Sequence, residues 1–206
     1  MEFLEKLKII ENQLRWLDVE ARSAIRLKET FCYAAYDNNV RDSIKKTNKV
    51  DCYNVCLHAI YFNFIMALAR IFDSRRRDDV HSLNNLFRHL TNDFINEFEK
   101  IKKRQIKLYI GKSKEEYKRL KGTNLVAGII KIRVERFAHN SLDENKKYYP
   151  KYGDAEELLD QTLNLINCLS FAIWKKKELY EYRSKEWRRK AQYFWDTFNH
   201  KPIKDE

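Results

Sequence analysis

The 206 residues suffice for one domain or a domain with an appendage, and 4 glycines and 2 prolines are too few for the tight turns of an all-β fold. A hydrophobic share of 44% allows a substantial core, and 34% charged residues suit solvated helix faces. The formal charge of +11 attracts polyanions, with nucleic acid the first candidate and solubility or an acidic partner protein the plainer readings.

A first helix is expected over residues 2–36. Phe3, Leu7, Ile10, Leu14, Leu17, Ala21, Ala24, Phe31 and Ala35 recur in steps of three and four, an a/d seam broken only at Lys28 that wants a long partner helix. Asp37-Asn38-Asn39 ends it. The mixed charges of the opening residues do not read as a targeting peptide. No window approaches the roughly 18 uncharged apolar residues of a membrane span, so a cytoplasmic location is expected.

The stretch VDCYNVCLHAIYFNFIMALARIFD, 50–73, is apolar on nearly every side and predicts a helix at the centre of a bundle. His58 reads as a satisfied core histidine, and Asp73 as the partner of Arg70 three residues earlier. Cys32, Cys52, Cys56 and Cys168 all lie in apolar helical context, which favours reduced, packed thiols. Cys52, Cys56 and His58 lack a second ligand pair, so neither a metal nor any other cofactor is expected.

Beyond the charged loop SRRRDD, Ser82 caps a short helix and Thr91 or Asn92 the next. Residues 100–121 carry ten Lys/Arg against two Glu; a break is expected at Gly111-Lys112, a new helix at Ser113, and an interruption at 122–124. LVAGIIKIRVERFAH is again helical. A loop over 140–153 leads to a last long helix capped by Asp154, with Leu158, Leu159, Thr162, Leu163, Ile166, Leu169 and Ile173 buried. After Trp174 the chain turns basic and aromatic. No linker marks a second domain: residues 1–206 read as one helical domain, with 175–206 an extension of it.

RVERFAHNSLD, 133–143, places Arg133 and Arg136 just before His139, where the helix gives way to turn-forming residues. Arg133 and His139 point about 120° apart on an ideal helix. An imidazole exchanges protons near neutral pH, and a guanidinium grips phosphate through paired donors. The combination suits RNA cleavage by attack of the ribose 2′-OH on the adjacent phosphate. One Arg and one His make half an acid–base site, which a two-fold dimer would complete. A surface arginine beside a helix-terminal histidine is the plainer reading.

The segment resembles the R-x(4–6)-H signature of the HEPN superfamily, and more narrowly its abortive-infection U-type (AbiU2-like) subgroup. Arg133, Ala138 and His139 match; Val134 replaces the usual polar residue after the arginine, and Glu135 stands where Lys is common. ALARIFD, 67–73, followed by SLNNLFRHL, 82–90, also resembles that subgroup, and the likeness covers roughly Tyr53 to Trp174. It implies an all-α, antiparallel helical bundle and a homodimer with a composite site at its interface. His139 would be the acid–base catalyst and Arg133 the phosphate binder, with Arg136 and Asn140 as auxiliaries. The expected function is a metal-independent endoribonuclease acting as a toxin or defence effector, with an antitoxin protein encoded nearby as a further expected partner. The alternative is a HEPN-like module without catalysis that binds RNA or a protein. RNA contacts are expected from Lys102, Lys103, Arg104 and Lys107, and from Arg188 and Arg189 in the tail. The tail's aromatics would stack on unpaired bases or pack on the first helix.

Overall fold

The structure, a computed structural model, describes residues 3–75, 80–138 and 150–199. Among these the fold is all-α: α1 (Phe3–Tyr36), α2 (Asn38–Lys45), α3 (Val50–Ile71), α4 (Leu83–His89), α5 (Asn92–Lys102), α6 (Lys107–Lys121), α7 (Asn124–Ala138), α8 (Tyr152–Trp174) and α9 (Tyr180–Asn199). They form two compact units, one of residues 1–21 and 66–178, the other of residues 22–65 and 179–206.

In the first unit the start of α1 buries Ile10, Leu14 and Leu17 completely, as its seam predicts. Phe3 stacks on Phe94 at 5.4 Å, and Phe94 meets Phe98 at 5.7 Å. The last residues of α3, Met66 to Phe72 except Arg70, are core. Helix α6 lies along α8.

The helix starts follow local chemistry. Ser82 accepts from Asn85 N and Thr91 from Phe94 N, both at 3.3 Å, so both expected caps form. The break in the basic stretch falls earlier than Gly111. Lys103 takes the left-handed conformation (φ 48°), and Glu99 Oε1 accepts from Ile106 N at 2.5 Å and Lys107 N at 2.8 Å, starting α6 there. Helix α8 begins at Tyr152 rather than at an Asp154 cap, and it stops at Lys175, which is also left-handed (φ 57°).

In the second unit Asp37 ends α1 and caps α2, accepting from Val40 N at 3.1 Å. Val40, Ile44, Ala34 and Tyr53 gather around a fully buried Trp195. Trp195 Nε1 donates to Thr30 O at 3.1 Å, so part of the tail does pack on the first helix. The seam of α1 shifts here: Ala34, not Ala35, is buried, and Glu29 is buried with Ser184 Oγ as its hydrogen-bond donor.

The expectation that α3 is buried all round holds only at its end. Asp51, Cys52, Asn54, Val55, His58, Ala59 and Asn63 are exposed, so His58 is a surface residue. Cys52 is exposed and the other three thiols are half-buried; Cys56 joins the Trp195 cluster. Val50–Ile71 is the one helix among the described residues long and apolar enough, by length and composition, to cross a membrane (mean hydropathy 1.4), with 39% of that window buried.

Candidate active site

Helix α3 gives out at Asp73 because the side chain turns on its own backbone. Asp73 Oδ1 accepts from Arg75 N at 2.9 Å, an Asx-type turn that carries the chain off the helix axis. The same turn folds Arg75 back: its Nε lies 3.2 Å from Oδ1 and its Nη2 lies 2.7 Å from Oδ2. From α7, Arg133 Nη1 reaches Asp73 Oδ2 at 2.6 Å and Ala69 O at 3.5 Å. One carboxylate thus holds two guanidinium groups, and the trio carries a net positive charge.

Exposure differs along this trio. The Asp73 side chain is 7% exposed, that of Arg133 19% and that of Arg75 54%. Burial pushes the Asp73 carboxyl up, but hydrogen bonds from the Arg75 side chain and backbone, with the Arg133 charge and hydrogen bond, outweigh it and hold the group below its ordinary value. Asp73 is therefore an anion at neutral pH.

The trio lines a cavity of about 480 Å³ whose other walls are Ala69, Ser74, Ile130 and Val134. A guanidinium carries five N–H donors. Among the described residues Arg133 uses only Nη1, so its remaining edge and the exposed Arg75 can serve an anion in the cavity. Apolar walls around a fixed positive charge strengthen such binding.

The other expected site residues divide. His139, Asn140 and the side chain of Arg136 lie outside the described residues. Lys102, Lys103 and Lys107 are exposed around the α5–α6 turn, and Arg188 and Arg189 are exposed on α9. Arg104 does something else. Its Nη2 donates to Phe171 O at 2.8 Å and its Nη1 to Ile173 O at 3.4 Å, covering the last carbonyls of α8.

Sequence reasoning missed the pairing of Asp73 with Arg75 and Arg133. Arg70, its expected partner, instead holds Glu20 of α1 through Nε at 3.0 Å and Nη2 at 2.8 Å. Among the described residues no three His, Cys, Asp or Glu side chains are grouped to hold a metal ion.

The HEPN_AbiU2 family model, described as AbiU2, matches residues 8–189. No curated protein and no solved structure matches the chain.

Proposed function

The chain belongs to the AbiU2 family of HEPN proteins, and on that premise we propose that it is a metal-independent endoribonuclease of a toxin or phage-defence system. It would act in the cytoplasm, as a homodimer whose two Arg133/His139 pairs share one RNA phosphate. The observation that carries this reading is the fixed guanidinium of Arg133, held by Asp73 at 2.6 Å on the wall of a cavity that Arg75 also lines.

In this scheme Arg133 and its dimer mate grip the non-bridging phosphate oxygens and stabilise the charge that builds on them. His139 takes the proton of the ribose 2′-OH, whose oxygen attacks the adjacent phosphorus. The bond from phosphorus to the 5′ oxygen breaks, and that oxygen takes a proton from the imidazolium of the partner's His139. The products are a 2′,3′-cyclic phosphate and a free 5′-OH, with atoms and protons in balance. Asp73 orients Arg133 without touching substrate. Arg136 and Asn140 are auxiliaries, and Lys102, Lys103 and Lys107 lead the strand in by phosphate contacts. An antitoxin protein encoded nearby would restrain the activity.

One observation favours a second reading. Val134 is 58% exposed, lines the cavity and has no hydrogen-bonding group to offer substrate. A chain that binds RNA or a protein there without cutting is the alternative.

The test is cleavage of total RNA by the purified full chain in EDTA, beside His139→Ala and Arg133→Ala. Cutting by the wild type alone, leaving cyclic-phosphate ends, is the expected result. Cutting that survives His139→Ala, or that appears only when a divalent metal is added, overturns the proposal. RNA binding without cutting in all three gives the second reading.

A further inference from the structure

Helix α9 buries one face and presents a different chemistry on the other. Tyr180, Ala191 and Trp195 form the buried line. On the opposite side Tyr182 is 66% exposed and Tyr193 is 77% exposed. Helical geometry puts Tyr182, Arg189 and Tyr193 within about 40° of one line, with the two rings about 16 Å apart along the axis and Arg189 between them.

The tryptophans of this helix are already engaged. Trp195 is interior, and Trp187 lies under Arg26 at 5.1 Å and Lys190 at 4.5 Å. Most of the charges are engaged too. Lys185 meets Glu181 at 3.1 Å and Lys190 meets Glu186 at 2.7 Å. Arg188 and Arg189 are exposed, and Arg189, whose charge also acts on Glu186, is the one on the tyrosine line.

An acidic protein would be served by the cations alone. Two tyrosine rings flanking a guanidinium fit a ligand with flat faces and a regular negative charge, which is the chemistry of unpaired nucleotides. We propose that the outer face of α9 is a single-stranded RNA-binding strip, with bases stacking on Tyr182 and Tyr193 and a phosphate held by Arg189. The strip does not depend on the cleavage proposal, because binding there requires no reacting 2′-OH.

The experiment uses the full chain and a fluorescent 2′-O-methyl oligoadenylate, which cannot be cut through its 2′ oxygen. Tyr182→Ala and Tyr193→Ala should each weaken binding roughly tenfold, and Tyr193→Phe should restore it, since a phenyl ring still stacks. Arg189→Ala should reduce the slope of log affinity against log salt by about one. These side chains are exposed, so far-UV circular dichroism should be unchanged. The proposal is overturned if both tyrosine variants bind within about twofold of wild type, or if inorganic polyphosphate competes as well as the oligonucleotide at equal charge. It is equally overturned if duplex RNA binds as tightly, or if anionic phosphatidylserine vesicles, and not the oligonucleotide, respond to the tyrosine changes.

Discussion

Asp73 Oδ2 lies 2.6 Å from Arg133 Nη1, a contact spanning 60 residues of chain between the end of α3 and the middle of α7. The carboxylate is almost fully buried and the guanidinium largely so, which makes this pair more consequential than an exposed ion pair. Asp73→Asn keeps the shape but removes the carboxylate charge that the Arg75 and Arg133 guanidinium groups share. It should cost about 2 kcal/mol of stability and, if cleavage is as proposed, lower kcat more than it raises KM. Urea denaturation and single-turnover cleavage measure the two effects. A variant as stable and as active as wild type would mean that Asp73 orients nothing.

The same carboxylate sets an acid limit. Burial raises its pKa, but Arg75 and then Arg133 pull it below the ordinary aspartate value, so the folded state holds this proton less tightly than the unfolded chain does. Its contribution is complete above the unfolded value near 3.9 and is lost as pH falls through the lower folded value. Wild type should therefore lose stability more steeply than Asp73→Asn as pH drops below about 4. Parallel acid-unfolding curves for the two proteins would show that the pair adds no pH-dependent stability.

The sequence carried the caps and the seam because those are local. Ser82 and Thr91 bond to backbone three residues ahead, and Ile10, Leu14 and Leu17 obey a period that needs only the chain itself. It misassigned Asp73 because proximity along a helix favours Arg70, whereas the fold offers Arg70 a carboxylate on α1 and sends an arginine from α7 to Asp73. Gly111 was a false break. It sits in open space with nothing within 4 Å, so it costs only its own backbone freedom, while Glu99 and the left-handed Lys103 set the turn. His58 was read as buried because hydropathy counts apolar neighbours without knowing which side of α3 is covered. Of the candidate site, Arg133 was legible from its motif; Arg75 was not, since SRRRDD looks like any solvated loop.

Trp195 should be the most sensitive position in the second unit. It is fully buried, packs edge-on against Tyr53 at 5.5 Å, and satisfies its indole N–H on Thr30 O. Trp195→Ala removes that packing and the hydrogen bond together, at a cost of about 3–5 kcal/mol. Tyr53→Phe loses only the hydroxyl that donates to Ala34 O at 2.5 Å, about 1 kcal/mol. Denaturation followed by far-UV circular dichroism should rank them in that order, and equal losses would contradict the packing described.

The basic turn between α5 and α6 separates two roles that look alike in sequence. The Arg104 guanidinium donates to the carbonyl of Ile173 and to that of Phe171, which also accepts from Lys175 N, and so ties the α5–α6 turn to the end of α8. Arg104→Ala should destabilise the protein by about 1–2 kcal/mol and leave the salt dependence of RNA binding nearly intact. Lys102 and Lys107 point into solvent. Replacing both with Ala should leave stability within about 0.5 kcal/mol while lowering the salt slope of RNA binding by about two. Melting curves and binding titrations across 50–200 mM salt, a range over which phosphate contacts weaken strongly, test both halves at once. If Arg104→Ala changed the slope and not the melting curve, its hydrogen bonds to α8 would be incidental and its place would be with the lysines.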